Sequence, residues 1–269
     1  MLDDKKREAI EIMRDCNQLV SRTLAEVASL IEPGVTTLEL DQKAEQFIRD
    51  NGAEPGFKGY SGFPKTLCTS VNSQVVHGIP SEYVLKEGDI ISVDCGVKMK
   101  GYYGDTAYTF AVGEIDRHVA ELLRITYEAL YKGIEQAVTG RRVGDIGYAV
   151  QKHAEGAGFA VVREMVGHGI GANLHEDPEV PNYGKRGRGP LLKEGMVLCI
   201  EPMINLGGRA IVQEADGWTI RTRDNRPSAH YELAVAVTGS FADILSTFEY
   251  IEKVLIIKNN GLPWQNRKP

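Results

Sequence analysis

The stretch LKEGDIISVD at residues 85–94 is echoed by LKEGMVLCIE at residues 192–201, and each stretch ends on a carboxylate. Further landmarks repeat near the same offset of about 107 residues: Gly34 and Gly140, 106 residues apart, each open a stretch of helical character. HGIP at His77 also resembles HEDP at His175. This period is too long for a solenoid of short repeats. The duplication therefore predicts two similar halves that pack face to face, with the two terminal carboxylates meeting near a pseudo-twofold axis.

Composition and charge are those of an ordinary globular chain, with 42% apolar and 25% charged residues among 269. The net charge of −6 gives no electrostatic reason to expect DNA or RNA binding. The N-terminus lacks the apolar core of a signal peptide, and no run approaches 18 apolar residues, so we expect a cytoplasmic protein without a membrane segment. The four cysteines form no CxxC pair, which argues against a cysteine zinc site and for reduced thiols.

One short basic stretch departs from this acidic balance. GKRGRGP at residues 184–190 is rich in glycine and is interpreted first as a solvated loop. The alternative is a transient contact with the ribosome or RNA.

Two helices and a hairpin are expected in the first half. Apolar residues recur at helical spacing over residues 3–31. Thr36 or Thr37 can then cap a second helix. Strand-like runs on either side of Lys100-Gly101 predict a β-hairpin that turns at these two residues.

The same order of elements is expected again in the second half. Helices are predicted over about residues 116–138 and 143–157, followed by strands. This alternation indicates an α+β protein in which helices cover an antiparallel sheet. We expect one catalytic domain over residues 1–269, and the tail at residues 242–269 has no assigned role.

The predicted hairpin brings two aspartates to one face of its sheet. With the turn at that position, Asp94 faces Ala107 and Asp105 faces Gly96, so the two carboxylates are diagonal neighbours. Two aspartates this close raise each other's pKa unless a cation lies between them. A positively charged partner or a solvated face is the alternative explanation.

Two further acids interrupt apolar strands. Glu201 ends the run MVLCIE and Glu232 lies within YELAVAV, where a charged side chain is costly to bury without a partner. Carboxylates supplemented by an imidazole from His168 or His175 suit a divalent cation such as Mn, Fe, Co or Zn. His77 and His175 head the two repeated segments, so we expect them to face each other across this site.

Five stretches carry a family resemblance: VHGIP, DCGVKMKGYYGDTA, VGHGIGANLHEDP, CIEPMI and YELAVAV. Together they resemble the methionine aminopeptidases, which have the pita-bread fold of two pseudo-symmetric αα-β halves around an antiparallel sheet. The resemblance covers about residues 3–245 and implies a type I, bacterial-like enzyme, because only 31 residues separate Glu201 from Glu232 and leave no room for the type II insertion.

The resemblance implies a dinuclear metal centre. Asp105 and Glu232 would bridge two divalent cations drawn from Mn, Fe, Co or Zn. Asp94 would hold one ion, while His168 and Glu201 would hold the other. A hydroxide between the ions would then attack the first peptide bond.

Catalytic and binding roles follow from the same resemblance. Glu201 would move the proton, His175 would hydrogen-bond the oxyanion, and His77 would contact the scissile amide. The expected pocket for the methionine side chain consists of Phe57, Tyr60, Phe63, Cys68 and Trp218. Phe57 and Leu174 depart from the residues usual at their positions. A monovalent cation, Na or K, is expected at Asn72, Gln74 and Ser228.

The implied activity is removal of the initiator methionine from nascent chains when the second residue is small, by a monomeric enzyme. Proline-specific peptidases of the same fold carry an additional N-terminal domain, for which this chain has no room. Proteins that use the fold only for binding lack metal ligands, whereas all five ligand positions are filled here. No P-loop or dinucleotide fingerprint is present.

Overall fold

The computed structural model describes residues 3–259 and 262–264. Helices alternate with groups of short strands, and a single 3₁₀ turn spans Tyr60–Gly62. The α-helices of the described residues are α1 Asp4–Leu30, α2 Thr37–Asp50, α3 Arg117–Ile134, α4 Val143–Gly156 and α5 Glu249–Asn259. The strands are β1 Glu54–Pro55, β2 Leu67–Val71, β3 Gln74–Val76, β4 Ile90–Met99, β5 Tyr102–Ala111, β6 Ala160–Val161, β7 Gly167–Gly169, β8 Glu176–Val180, β9 Val197–Ile200, β10 Met203–Asn205, β11 Ile211–Gln213, β12 Ile220–Thr222, β13 Ser228–His230, β14 Leu233–Val237 and β15 Ala242–Ile244.

The predicted helices are confirmed, and their ends have local causes. Thr36, one of the two candidates, caps α2 and forms a capping box with Glu39. Helices α2 and α4 end in the same way, because Gly52 and Gly158 adopt left-handed backbone conformations with φ of 74° and 89°. The duplicated halves therefore share a helix stop as well as a strand start.

The hairpin of β4 and β5 has the predicted turn and register. Lys100 and Gly101 both have positive φ, which matches the twist of a two-residue hairpin turn. Asp94 is opposite Ala107, and Asp105 is opposite Gly96. Strand β4 also pairs with β2 and β1 on its other edge.

The second repeated stretch becomes β9, in the middle of a sheet of order β15-β14-β9-β7-β8. The expected single antiparallel sheet is divided among the described residues into four antiparallel sheets, of which this and the hairpin sheet are the largest. Between β13 and β14, the amide of Glu232 donates to the carbonyl of Ala107, 2.9 Å away. That bond joins the two halves at the acidic residues.

The core lies between the helices and these sheets. Strand β5 approaches α1 so closely at Gly104 that a Cβ there would lie 2.7 Å from the backbone of Asn17. The tail contributes α5, which buries Ile251 and Leu255, and Phe248 just before this helix is buried as well, so its described part is structural. Residues 260, 261 and 265–269 of the tail lie outside the described residues. Among the described helices, none has the length and apolar character needed to cross a bilayer.

Candidate metal centre and active site

The first two acids are fixed by the hairpin and by α1. Asp94 and Asp105 lie on the same face of the β4–β5 ladder, as the register requires. The backbone amide of Asp105 donates to Oδ1 of Asn17, a buried residue of α1, over 3.1 Å. Asn17 in turn donates to the carbonyl of Met13. The helix therefore holds the backbone of one acid in place.

The other two acids lie where β9 ends and β14 begins. Leu233 pairs with Ile200 in the antiparallel ladder of these strands, so one further step of the same register places Glu232 opposite Glu201. Both residues are buried, with 2% and 9% exposure respectively. Two carboxylates in this position need a positive partner.

His168 joins the four acids from β7, which pairs with β9. Its Nε2 lies 3.5 Å from Oε1 of Glu201 and 3.8 Å from Oδ2 of Asp105. Its Nδ1 lies 2.9 Å from the carbonyl oxygen of Gly169 and donates a hydrogen bond to it. Because this bond places the ring proton on Nδ1, the Nε2 lone pair is free to bind a cation.

The buried negative charge of the four acids is stable only with a cation nearby. Burial raises the pKa of all four acids, to about 6 for Asp94 and in the same direction for the other three, which also repel their neighbours. Among the described residues, Oδ1 of Asp94, Oδ1 of Asp105 and Oε1 of Glu232 are buried without a hydrogen-bond partner. Oxygen donors with one imidazole are the ligand set of a hard or borderline divalent cation. The residues present therefore fit a divalent metal.

Two more histidines lie beside the acids, as expected from the repeated segments. His77 follows β3 in a left-handed conformation with φ of 60°, which is unusual for a residue with a Cβ and is common at functional sites. Burial lowers its pKa to about 4. The ring of His175 packs edge-on against His168 with centroids 4.3 Å apart, and the surrounding walls lower its pKa as well. Both rings are therefore neutral at pH 7.

Tyr60 hydrogen-bonds to one ring nitrogen of His175. The hydroxyl of Tyr60 lies 3.0 Å from Nδ1 of His175. When the hydroxyl donates to this nitrogen, the neutral ring has its proton on Nε2. His175 is then a hydrogen-bond donor toward the cavity.

A single cavity of about 750 Å³ brings these groups together with an apolar lining. The cavity is lined by all five expected ligands, both catalytic candidates and the five expected pocket residues: Asp94, Asp105, His168, Glu201, Glu232, His77, His175, Phe57, Tyr60, Phe63, Cys68 and Trp218. Cys68 is directly opposite Asp94 in the β2–β4 ladder, and Phe63 meets Trp218 edge-on at 5.1 Å. The apolar pocket therefore begins beside the acidic cluster.

The two atypical residues belong to the wall of this pocket. Phe57 and Leu174 are buried in the same apolar cluster as Phe63 and Cys68. The ring of Phe57 lies over Gly96 of β4, where a Cβ would collide with it. Glycine at this position therefore makes room for the larger side chain.

The three residues expected to hold a monovalent cation lie outside the lining of this cavity. The side chain of Asn72 donates to Asp89 and accepts from the amide of Ile90. Ser228 is close to Asn72, because its amide donates to the Asn72 carbonyl over 2.9 Å. Gln74 accepts from the amide of Val71. The side chains of all three are thus engaged within the protein.

Two residues that no sequence pattern above indicated lie beside the acids in the structure. Cys199 contributes its sulfur to a group with Asp105, His168 and Glu232 in which all potential ligand atoms lie within 4.8 Å of one another. His230 forms a second such group with Glu201 and Glu232. A signal for His230 existed, because it precedes Glu232 by two residues in an extended segment and so shares its side of the chain.

Comparisons with known proteins identify the family of this chain. The sequence profile of metallopeptidase family M24 matches residues 11–239. Methionine aminopeptidase of Clostridium acetobutylicum is 50% identical over 93% of this chain and 100% of its own length. Methionine aminopeptidase 1 of Bacillus subtilis is 49% identical over 91% of this chain and 99% of its own length.

Solved structures give the same result for the fold. The methionine aminopeptidase from Thermotoga maritima superposes with a TM-score of 0.89 and 42% identity, covering 92% of this chain and 100% of that one. A prolidase from Pyrococcus furiosus, 24% identical with a TM-score of 0.71 over 90% of this chain and 65% of its own, shares the fold alone. The family resemblance and the pita-bread fold are thus confirmed, and the chain belongs to metallopeptidase family M24.

Proposed function

We propose that this chain is a metal-dependent methionine aminopeptidase, which removes the N-terminal methionine of new chains when the second residue is small. One observation carries the proposal: a cluster of buried carboxylates and an apolar pocket open into the same cavity. The names of the relatives, at 49–50% identity over nearly the whole chain, support the same activity.

Five residues would hold two divalent cations. They are Asp94, Asp105, His168, Glu201 and Glu232, all of which line the cavity. When bound, divalent cations lower the pKa of a water molecule and polarise a carbonyl group. Mn, Fe, Co and Zn all accept this donor set.

Glu201 is the residue proposed to move the proton. Its carboxylate faces the cavity, and burial beside Asp94 raises its pKa. A carboxylate with a raised pKa can accept a proton from water and return it to the departing amine. The same carboxylate can therefore take part in both proton transfers of the hydrolysis.

The neutral histidines are proposed to bind the peptide group that is cleaved. With Tyr60 at its Nδ1, His175 presents an Nε2–H that can donate to the oxygen on which negative charge develops. His77 faces the same space and would contact the scissile amide. Preset donors of this kind lower the barrier because they need no reorganisation during the reaction.

Specificity for methionine would come from the apolar pocket. Phe63, Trp218 and Cys68 offer aromatic faces and a small polarisable neighbour, and thioether sulfur makes favourable contacts with such rings. Phe57 and Tyr60 would complete the pocket. The pocket adjoins Asp94 directly, so a side chain bound there places its own carbonyl beside the acids.

Recognition of a free N-terminus has an electrostatic basis. Four acids besides the ligands line the cavity: Glu164, Glu176, Asp177 and Glu179. No lysine or arginine of the described residues belongs to this lining. The resulting negative potential attracts a peptide that carries a charged α-amine and disfavours one whose amine is blocked.

Further parts of the proposal concern the whole chain. Residues 1–269 would act as a single domain and a monomer in the cytoplasm, with the basic loop at residues 184–190 available for a transient ribosome contact. A monovalent cation, Na or K, would bind near Asn72, Gln74 and Ser228, using backbone carbonyls for part of the site.

The proposal is tested with a panel of peptides on metal-loaded protein. Met-Ala-Ser should release free methionine, whereas formyl-Met-Ala-Ser and a Gly-Pro peptide should remain intact. Glu201→Gln and His77→Ala should each abolish or strongly reduce methionine release, and His77→Ala should keep its metal content. Cleavage only before proline would assign the chain to a different peptidase activity of the same fold.

A further inference from the structure

His230 is a buried imidazole whose surroundings leave one nitrogen without a partner. The residue is 1% exposed, and its Nε2 makes no hydrogen bond within the described part of the chain. Buried polar atoms nearly always have a partner in a folded protein, so an orphaned one indicates an unseen ion or ligand. The position of Nε2 indicates that the missing partner is a metal ion.

The carboxylate of Glu201 lies between two imidazoles. Its Oε1 is 3.5 Å from Nε2 of His168, and its Oε2 is 3.5 Å from Nε2 of His230. A hydrogen bond between these atoms would be about 2.7–3.2 Å long. Two ligands bound at about 2.1 Å to one tetrahedral cation lie about 3.4 Å apart. The spacing therefore suits donors that share a cation better than donors that share a proton.

A third donor completes the arrangement. Potential ligand atoms of Glu201, His230 and Glu232 all lie within 4.8 Å of one another. Glu232 also belongs to the neighbouring group that contains His168 and Asp105. The described residues thus form two adjoining groups of donors that share one carboxylate, and each group has its own imidazole.

The backbone of His230 is fixed on both sides. It ends β13, where it pairs with Met203 of β10. The hydroxyl of Thr109 accepts from its amide over 2.9 Å and lies 2.7 Å from its carbonyl oxygen, to which it donates. A residue whose backbone is anchored in this way is preorganised, which reduces the entropy lost when its side chain binds a cation.

We propose that His230 is a ligand of the metal centre through its Nε2, together with Glu201 and Glu232. The centre then has two imidazoles rather than one. Imidazole favours Zn, Co and Fe, whereas carboxylate and water alone suit Mn and Mg. His230 accordingly shifts the selectivity of this centre toward Zn, Co and Fe. The inference depends on metal binding and not on the peptidase activity.

The first test counts the metal-bound nitrogens without any mutation. Metal-stripped protein labelled with ¹⁵N-histidine is titrated with Zn²⁺, and the imidazole nitrogens are followed by NMR. Of the six histidines, two should show an Nε2 that changes to the shift of a zinc-bound nitrogen, with the proton left on Nδ1. A response from His168 alone would overturn the proposal.

Matched variants assign the second nitrogen and measure its effect. His230→Gln keeps the length and polarity of the side chain, and it should remove one of the two zinc-bound nitrogens and weaken one Zn²⁺ site by at least about tenfold. Its preference for Zn²⁺ over Mn²⁺ should fall in the same competition titration. His77→Gln changes another histidine of the site that belongs to neither donor group, and it should keep both nitrogens and both affinities. Unchanged zinc binding and selectivity in His230→Gln would contradict the proposal.

Discussion

Burial of charged acids without a cation should make the metal-free protein less stable than a variant that lacks one charge. Asp94→Asn removes one carboxylate from the cluster while keeping the shape of the side chain. Burial raises the pKa of Asp94 from 3.8 to about 6. Since one pKa unit corresponds to about 1.36 kcal/mol, ionised Asp94 destabilises the metal-free fold by up to about 3 kcal/mol. Because the side chain is partly exposed to the cavity, solvent screening makes this an upper value.

The sign of the pH dependence follows from the raised pKa. Between about pH 4 and pH 6 the folded state binds a proton that the unfolded state has lost, so stability falls as the pH rises through this window. Neutral Asn at position 94 does not titrate. The advantage of Asp94→Asn should therefore be small near pH 4 and fully present above about pH 7.

Calorimetry of the chelator-treated protein between pH 4 and pH 8 measures the effect. At pH 7.5 we expect the metal-free variant to melt up to roughly 6–12 °C above the metal-free wild type, since 1 kcal/mol shifts the Tm of a chain of this size by roughly 2–4 °C. With metal added, the wild type should instead melt at the higher temperature, because only the wild type keeps the full ligand set. The matched control is Asp89→Asn, which should lower the Tm because Asp89 accepts hydrogen bonds from Asn72, Tyr83 and Lys86. A lower Tm for metal-free Asp94→Asn at pH 7.5, or a shift independent of pH, would refute this reasoning.

Three other substitutions test separate parts of the site. Asn17→Ala removes the acceptor for the amide of Asp105. The variant should lower the free energy of unfolding by about 1–3 kcal/mol in urea titrations, because a buried donor is left unpaired. A loss below about 0.5 kcal/mol would contradict this expectation. Tyr60→Phe removes the hydroxyl that fixes the proton of His175 and should lower kcat for Met-Ala-Ser about two- to tenfold with little change in metal affinity; an unchanged kcat would count against that role. Trp218→Ala opens the wall of the apolar pocket and should raise KM for the same peptide about tenfold, or ~1.4 kcal/mol, whereas an unchanged KM would place the methionine side chain elsewhere.

Local sequence patterns were sufficient to predict much of the architecture. The turn at Lys100-Gly101 specified the hairpin register, and that register places Asp94 and Asp105 on one face. Thr36 and Gly52 marked the ends of α2 through capping chemistry. These predictions succeeded because caps, turns and strand alternation act over a few residues.

Contacts between distant segments could not be read in the same way. Asn17 gives no sign in a helical pattern that its side chain accepts from the amide of Asp105, 88 residues later. Nε2 of His230, at the end of β13, lies 3.5 Å from Oε2 of Glu201, which follows β9, although the two strands belong to different sheets. The amide of Glu232 likewise donates to the carbonyl of Ala107 in the other half of the chain. Each of these features is set by contacts between segments that are distant in the chain, and none has a local sequence period.

The most direct test of the central claim is reconstitution of the metal-stripped protein on Met-Ala-Ser, with free methionine measured as Mn, Fe, Co or Zn is added back. We expect no release without metal and a rise in release that follows metal binding, and this release should be lost again in Glu201→Gln. Methionine release that persists in the stripped protein, or full metal binding with no release under any of the four metals, would contradict it.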